Sequence, residues 1–333
     1  MPRYLIILIL TLTTWCASAQ YLPNSSQAFQ FASLYNPAFV GVEGFTDVKV
    51  GYRTQMTGLG PYAPKFINIT GNFRLKQPLD LTTHALRIGS SKSLGNDFIP
   101  KSKRIIHGLG VNFFSEQTQF DRLGGGITYS FNYPLSTKLR LAVGVSALIE
   151  SRKLSSNIYP GENPDPNDEL LQYLMANGVN QMEVNARTGL LLYNDRFYFG
   201  ASYLPLFNSA LESSEIENME SFYRGVAQAG VALPMGEGLV LQPSVVAIMQ
   251  TDNEFLIDYS LKARIKEKIW TGVTYRDIKA TVISLGFDFN SLMGLSYSYE
   301  MSTGEFRQFN DGSHEMVLSL RLNNFKRMTP YTW

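Results

Sequence analysis

The chain has 333 residues, 44% hydrophobic and 13% aromatic, and its charged residues nearly cancel to a formal charge of +1. A near-neutral chain lacks the basic face that nucleic-acid binding needs, and no run of 18 apolar residues follows the first twenty, which excludes a membrane-spanning helix. A single cysteine, Cys16, excludes an internal disulfide.

The chain opens with a basic Met1–Pro2–Arg3, an apolar run from Tyr4 to Trp15, and small residues at Ala17 and Ala19. This is the order of a secretory signal peptide over residues 1–19, with cleavage expected after Ala19. Cys16 raises a lipoprotein signal as an alternative, but the bulky Trp15 before it fits that processing poorly. Cleavage removes Arg3 and Cys16, so the exported chain is formally neutral and depends on sheet closure and packing. Residues 20–45 read as an irregular N-terminal periplasmic or plug segment, broken by Pro23, Asn36–Pro37 and Gly41.

From residue 46 to 333 the pattern has period two. Its clearest stretch is Leu123–Tyr133, which puts Leu123, Gly125, Ile127, Tyr129, Phe131 and Tyr133 on one face and Gly, Thr, Ser and Asn on the other. In a soluble sandwich the apolar face would be a core. In an outer-membrane barrel it would face lipid. Alternation gives about fourteen strands: Asp47–Thr54, Phe66–Arg74, His107–Ser115, Leu123–Tyr133, Lys138–Ser151, Glu183–Tyr193, Phe197–Leu204, Phe222–Leu233, Leu239–Gln250, Phe255–Ile265, Ile269–Arg276, Thr281–Phe289, Leu292–Met301 and Glu315–Leu322.

The connections sort by side. Pro134–Thr137, Asn194–Arg196, Pro234–Gly238, Lys266–Lys268 and Asn290–Ser291 are tight. On the opposite side lie Arg152–Met182, with a short helix expected over Asp168–Ala176, then Pro205–Ser221 and Ser302–His314. Tight turns at one end and long loops at the other mark an outer-membrane barrel, and an even strand number returns both termini to the periplasm. The expected fold is therefore all-β: an antiparallel transmembrane outer-membrane β-barrel of about 14 strands, with the N-terminal segment in its lumen. One connection on the tight side, Lys76–Ile106, is long and basic. It is either a solvated connection or a docking surface for a periplasmic partner, with Arg87, Lys92, Lys101, Lys103 and Arg104 as the docking candidates.

The search for chemistry finds little. His84, His107 and His314 show no metal-ligand spacing, and no Gly-x-Ser-x-Gly turn is present. No catalytic residue, cofactor or metal is expected, and the chain reads as a non-enzyme. A Ser/His pair assembled in space, as in an outer-membrane lipid enzyme, is the minority alternative. Alternation sends Lys49, Arg53, Arg74, Arg140, Arg187, Arg224, Lys262, Arg264 and Arg321 inward, with Glu150, Glu183, Glu254, Asp258, Asp288, Glu300 and Glu315. These charges either line a water-filled pore or pair across the lumen and fill it. Their near balance favours pairing. Side chains alone do not fill a fourteen-strand barrel, so a plug is expected, and Gln20–Phe45 is the candidate.

Five local motifs then line up. Asn36–Pro37–Ala38–Phe39–Val40–Gly41 resembles the Asn-Pro-Ala-aromatic-x-Gly signature of the PorP/SprF family, outer-membrane proteins of the type IX secretion and gliding machinery of Bacteroidota. Tyr52–Arg53–Thr54–Gln55 resembles its Tyr-Arg-x-Gln, with Met56 where Trp is usual. Gly272–Arg276 resembles its Gly-x-x-Tyr-Arg, through Tyr275 and Arg276. Gly294–Glu300, with Tyr297 and Tyr299, is similar to its Gly-Tyr-Ser-Tyr-Asp, and Gly312–Ser313–His314–Glu315 to its Gly-Ser-His-Glu. These residues are expected to be architectural. The resemblance implies an outer-membrane protein that supports secretion and surface attachment of a large, gliding-adhesin-like partner by binding its C-terminal domain. Its implied partners are that adhesin, type IX machinery components and outer-membrane lipid. The alternative reading is a 14-strand channel or transporter for small hydrophobic molecules.

Overall fold

The computed structural model describes residues 25–75, 105–118, 120–154, 180–212, 223–236, 238–250, 255–266, 268–277, 279–303 and 311–322. Fourteen strands follow one another: β1 (Thr46–Thr54), β2 (Lys65–Leu75), β3 (Ile106–Gln117), β4 (Phe120–Pro134), β5 (Arg140–Leu154), β6 (Asn180–Tyr193), β7 (Phe197–Glu212), β8 (Tyr223–Val231), β9 (Leu239–Gln250), β10 (Phe255–Ile265), β11 (Ile269–Arg276), β12 (Ala280–Asp288), β13 (Met293–Ser302) and β14 (Ser313–Leu322). The two-residue segment Leu233–Pro234 carries the chain on from β8 along β9. Every strand pairs antiparallel with the next. β14 returns to β1, in register from Thr46↔Leu322 to Thr54↔His314, so the sheet is a closed barrel without a free edge. In a bilayer this closure supplies every strand with backbone partners that lipid cannot offer.

The alternation is inverted relative to a soluble protein. Ile127 is 63% exposed and its neighbour Thr128 only 7%. Val50, Tyr52, Ile67, Phe113, Val145, Leu190, Phe199, Leu261, Ile283 and Leu285 are likewise exposed around the barrel, while Asn68, Thr70, Ser130, Asn132, Ser296 and Ser298 are buried. Apolar outside and polar inside is the pattern of a barrel in lipid, so Leu123–Tyr133 is a membrane strand and not a sandwich strand.

Most strands run past their expected ends. β7 differs most: it continues to Glu212, beyond the Leu204 expected. Pairing with β6 passes from Thr188↔Tyr203 to Ala186↔Phe207, so residues 204–206 oppose residue 187 alone. Pro205 falls in this bulge, where its missing N–H breaks no ladder bond. The signal peptide over residues 1–19, the helix at Asp168–Ala176 and the connection bearing Arg87, Lys92, Lys101, Lys103 and Arg104 lie outside the described residues.

Residues 25–45 occupy the lumen. They are not irregular throughout: a 3-10 turn at Ala28–Phe31 leads into one α turn at Ala32–Tyr35, and a second 3-10 turn spans Pro37–Phe39. Asn36 caps the last turn, its Oδ1 accepting from Ala38 N at 2.9 Å, with Pro37 supplying a preset φ at the first helical position. The hydrophobic core lies between this segment and the wall. Ala38 and Val42 pack with Ala142, Leu191, Tyr193 and Tyr198; Tyr35 packs with Val226, Val246 and Ile248.

Candidate functional site

The plugged lumen is where the sequence motifs converge. Its first anchor is built on shape. Asn36 Nδ2 donates to Leu190 O at 3.0 Å and Ala201 O at 3.4 Å, the carbonyls of two residues opposite each other in the β6–β7 register. Gly189 and Gly200 stand beside them, and a Cβ on either would collide with the Asn36 amide. A Cβ on Gly144 of β5 would lie 2.5 Å from Pro37 O, and one on Gly108 of β3 would run into Val40 O. Gly41 holds φ +76°, and a Cβ on it would lie 2.6 Å from Gly108 Cα. Only glycine serves at such a left-handed, close-packed point. Ser130 Oγ donates to Val40 O, Ser202 Oγ to Tyr35 O at 2.6 Å, and Arg187 Nη1 to Leu34 O at 3.0 Å. Asn36, Pro37, Ala38 and Gly41 are thus a key seated in a glycine-lined wall.

The second anchor is built on charge, at the end of the barrel where β1 stops and β14 starts. Arg53 and Glu315 face each other in the β1–β14 register. Arg53, 2% exposed, contacts Glu300 at 3.3 Å and Glu315 at 3.8 Å and donates to Ser26 Oγ. Arg276 reaches Glu300 at 3.2 Å, Asp258 at 3.5 Å and the Ser25 carbonyl at 2.7 Å. Glu315 accepts from Ser25 Oγ at 2.6 Å and Ser26 N at 2.5 Å; Glu300 accepts from Ser26 Oγ at 2.9 Å. One turn on, Gln30 Nε2 donates to Ser296 Oγ at 2.8 Å, and Ser296 Oγ donates to Gln27 Oε1 at 2.7 Å. Charge-assisted bonds of this kind are about twice as strong as neutral ones, and buried ions persist only with such partners.

Elsewhere the lumenal charges also pair. Glu116, Arg122, Glu150, Arg152 and Glu183 form a chain of contacts across β3 to β6. Lys49 meets Asp47 at 2.6 Å, Arg264 and Arg321 share Asp288, and Lys262 lies over the Phe29 ring at 4.6 Å. Paired filling, not an open charged bore, describes the described lumen. Of the charges expected inward, Lys49, Arg53, Lys262, Arg264, Arg321, Glu150, Glu183, Asp288, Glu300 and Glu315 are buried there. Arg140, Arg187 and Asp258 are half-buried, and Arg74 is exposed near the end of β2. Arg224 and Glu254 have side chains outside the described set.

Sequence reasoning missed Asp47, Glu116, Arg122, Arg152 and Arg276 on the inner face. Asp47 and Arg276 were within reach of the same parity rule. Glu116, Arg122 and Arg152 lie past the strand ends that alternation suggested.

The remaining motif residues face outward. Tyr52, Tyr275 and Tyr297 are exposed, each beside an inward residue, as in Tyr52–Arg53 and Tyr275–Arg276. Tyr297 Oη and His314 Nδ1 are 2.6 Å apart, and the Tyr299 ring lies tilted against the same imidazole with centroids 5.0 Å apart. Gly312, at φ +102°, lets Asp311 O accept from Tyr299 Oη at 3.0 Å. At the opposite end His107 meets Tyr129 at 2.7 Å. Both sets lie on the outer face, one toward each end of the barrel, the two levels at which membrane barrels carry aromatic residues. Among the described residues no group of three or more His, Cys, Asp or Glu could hold a metal ion.

A family model described as type IX secretion system membrane protein PorP/SprF matches residues 17–320. No protein of curated function matches the chain in sequence. Among solved structures the chain is similar to the Pseudomonas putida toluene transporter TodX, with 11% identity over 90% of this chain and 94% of that one and a TM-score of 0.44. It is also similar to the Acinetobacter baumannii outer membrane protein Omp33, with 9% identity over 85% of this chain and all of that one and a TM-score of 0.45.

Proposed function

The chain belongs to the PorP/SprF family of type IX secretion system membrane proteins, and from that premise we propose that it is a filled outer-membrane anchor for a secreted surface protein. In this reading the long-loop end faces the cell surface and holds the C-terminal domain of a large, gliding-adhesin-like cargo. The short-turn end, with the basic segment containing Arg87, Lys92, Lys101, Lys103 and Arg104, meets periplasmic components of the machinery. Outer-membrane lipid surrounds the exposed apolar belt.

The observation that carries the reading is the filled lumen. Residues 25–45 are seated by shape at one level and by hydrogen bonds to paired ions at another, so the described lumen is occupied in place of an open bore. The wall of serine, threonine, asparagine and paired ions also suits small hydrophobic solutes poorly, which weighs against the transporter alternative. The test is affinity purification of the tagged protein from detergent-solubilised outer membranes, beside a chain lacking residues 155–179. The expected result is co-purification of a type IX cargo through its C-terminal domain and of machinery components, with cargo lost from the deletion variant. Normal surface display of that cargo in cells without the gene would overturn the reading.

A further inference from the structure

The lumenal segment is anchored in two unlike ways. Residues 36–41 are held by shape against glycines, with Asn36 and Ala38 fully buried. Residues 25–30 are held by hydrogen bonds to Arg53, Arg276, Glu300, Glu315 and Ser296, the four charged groups being paired among themselves in the wall. Steric seating has no partial state, because backbone lies against backbone. A polar latch can exchange its serine and glutamine partners for water while Arg53, Arg276, Glu300 and Glu315 keep one another as partners, so no charge is left unpaired when it opens.

Beside this segment, against β8 to β11, lies a cavity of about 60 Å³. Ser26, Asp258 and Arg276 line it at the latch level; Asp47, Lys49 and Asn72 line it toward the short-turn end. It therefore runs along the segment between the two levels. A second cavity of about 10 Å³, lined by Arg264, Asp288 and Arg321, continues toward the short-turn end. Phe29, Gln30, Asp47 and Lys49 line both, and of these Phe29 and Gln30 belong to the lumenal segment. Two lining atoms, Asp47 Oδ1 and Gln228 Oε1, are buried with no hydrogen-bond partner among the described residues. Such atoms require water, and about 10–15 Å³ accommodates one molecule, so the larger cavity has room for several.

We propose that these cavities are the closed form of a passage for small hydrated inorganic ions, opened when residues 25–30 leave the Arg53–Arg276–Glu300–Glu315 latch while residues 36–41 stay seated. Departure of residues 25–30 removes Phe29 and Gln30, joins the two cavities, and takes Ser26 from the wall. Across the two cavities Glu43, Asp47, Asp258 and Asp288 are matched by Lys49, Arg264, Arg276 and Arg321, so the joined passage is polar, balanced in charge and only weakly selective between cations and anions.

The test is planar-bilayer conductance of the full chain in potassium chloride. Glu315→Gln removes the charge that holds Ser25 and Ser26, and the open fraction should rise about tenfold over the unaltered chain. A Gln30→Cys/Ser296→Cys pair, in a Cys16→Ser background, is bridged by a short bis-methanethiosulfonate, which restores the length that cysteine lacks beside glutamine at the 2.8 Å contact. Bridged, it should be silent; released with dithiothreitol, it should conduct. The released pair reports on the latch even if Glu315→Gln fails to fold. Silence of the released pair, or conductance unchanged by bridging, would overturn the proposal. Neither result bears on whether cargo co-purifies, so the anchor reading stands or falls separately.

Discussion

Gly144→Ala should unseat the lumenal segment. A Cβ there would lie 2.5 Å from Pro37 O and nearer still to Pro37 C and Ala38 N. Ordinary contact begins near 3.4 Å and Pro37 C is the nearest atom, so the segment must retreat by about 1.1 Å from the wall. All three atoms are backbone. Asn36 pins them on one side through Leu190 O and Ala201 O, and Ser130 pins Val40 on the other. Overpacking of this kind costs about 1–3 kcal/mol. Gly272→Ala on β11 is the matched control, also in a strand and on the lumenal side. The nearest atom to its added Cβ is Leu261 O at 3.5 Å, an ordinary contact. Alanine there should be neutral or stabilising by up to about 1 kcal/mol, because it narrows the unfolded ensemble. Urea unfolding in phospholipid vesicles, followed by the fluorescence of the buried Trp270, compares the two directly. Equal midpoints for the two variants would refute the steric seating of residues 36–41.

Two further substitutions probe the outer face and the latch. Ile127→Arg places a charge at the centre of β4 on the exposed apolar face, and should cost about 2–4 kcal/mol if that face meets the bilayer midplane; unchanged folding into vesicles would argue against a membrane strand there. Arg53→Met leaves Glu300 and Glu315 short of a buried partner and should cost about 3–5 kcal/mol in the same unfolding assay. Adding Glu315→Gln should recover part of that loss, and a double variant no more stable than the single would mean that Arg53 acts through packing alone.

Much of this architecture was legible in the sequence because a strand in lipid writes its environment at every second residue. Val48, Val50 and Tyr52 against Lys49, Gly51 and Arg53 state both a strand and its two faces. Turn length then separates a membrane barrel from a sandwich, since lipid insertion makes the two ends unequal. Strand ends were less legible. Where a strand leaves the bilayer its outer face no longer needs to be apolar, so alternation fades while pairing continues. Glu116, Arg122 and Arg152 sit in such extensions, and Pro205 concealed a strand that a bulge allows to pass.

The motifs show the same division. That Asn36–Gly41 forms a turn follows from Asn-Pro and glycine, and local chemistry suffices to read it. That the turn fits Gly108, Gly144, Gly189 and Gly200 does not, because those glycines come from four strands up to 164 residues away in the chain. The parity of Arg53 and Glu315 predicted that both point inward. Only barrel closure, bringing β14 beside β1, makes them partners, and only the threading of residues 25–30 through the lumen gives them Ser25 and Ser26 to hold. Local sequence specifies which way each side chain points, because the pleat has a period of two residues. It leaves unspecified what each side chain meets, because that depends on ring closure and on which segment fills the space inside, and both are settled by contacts between residues remote in the chain.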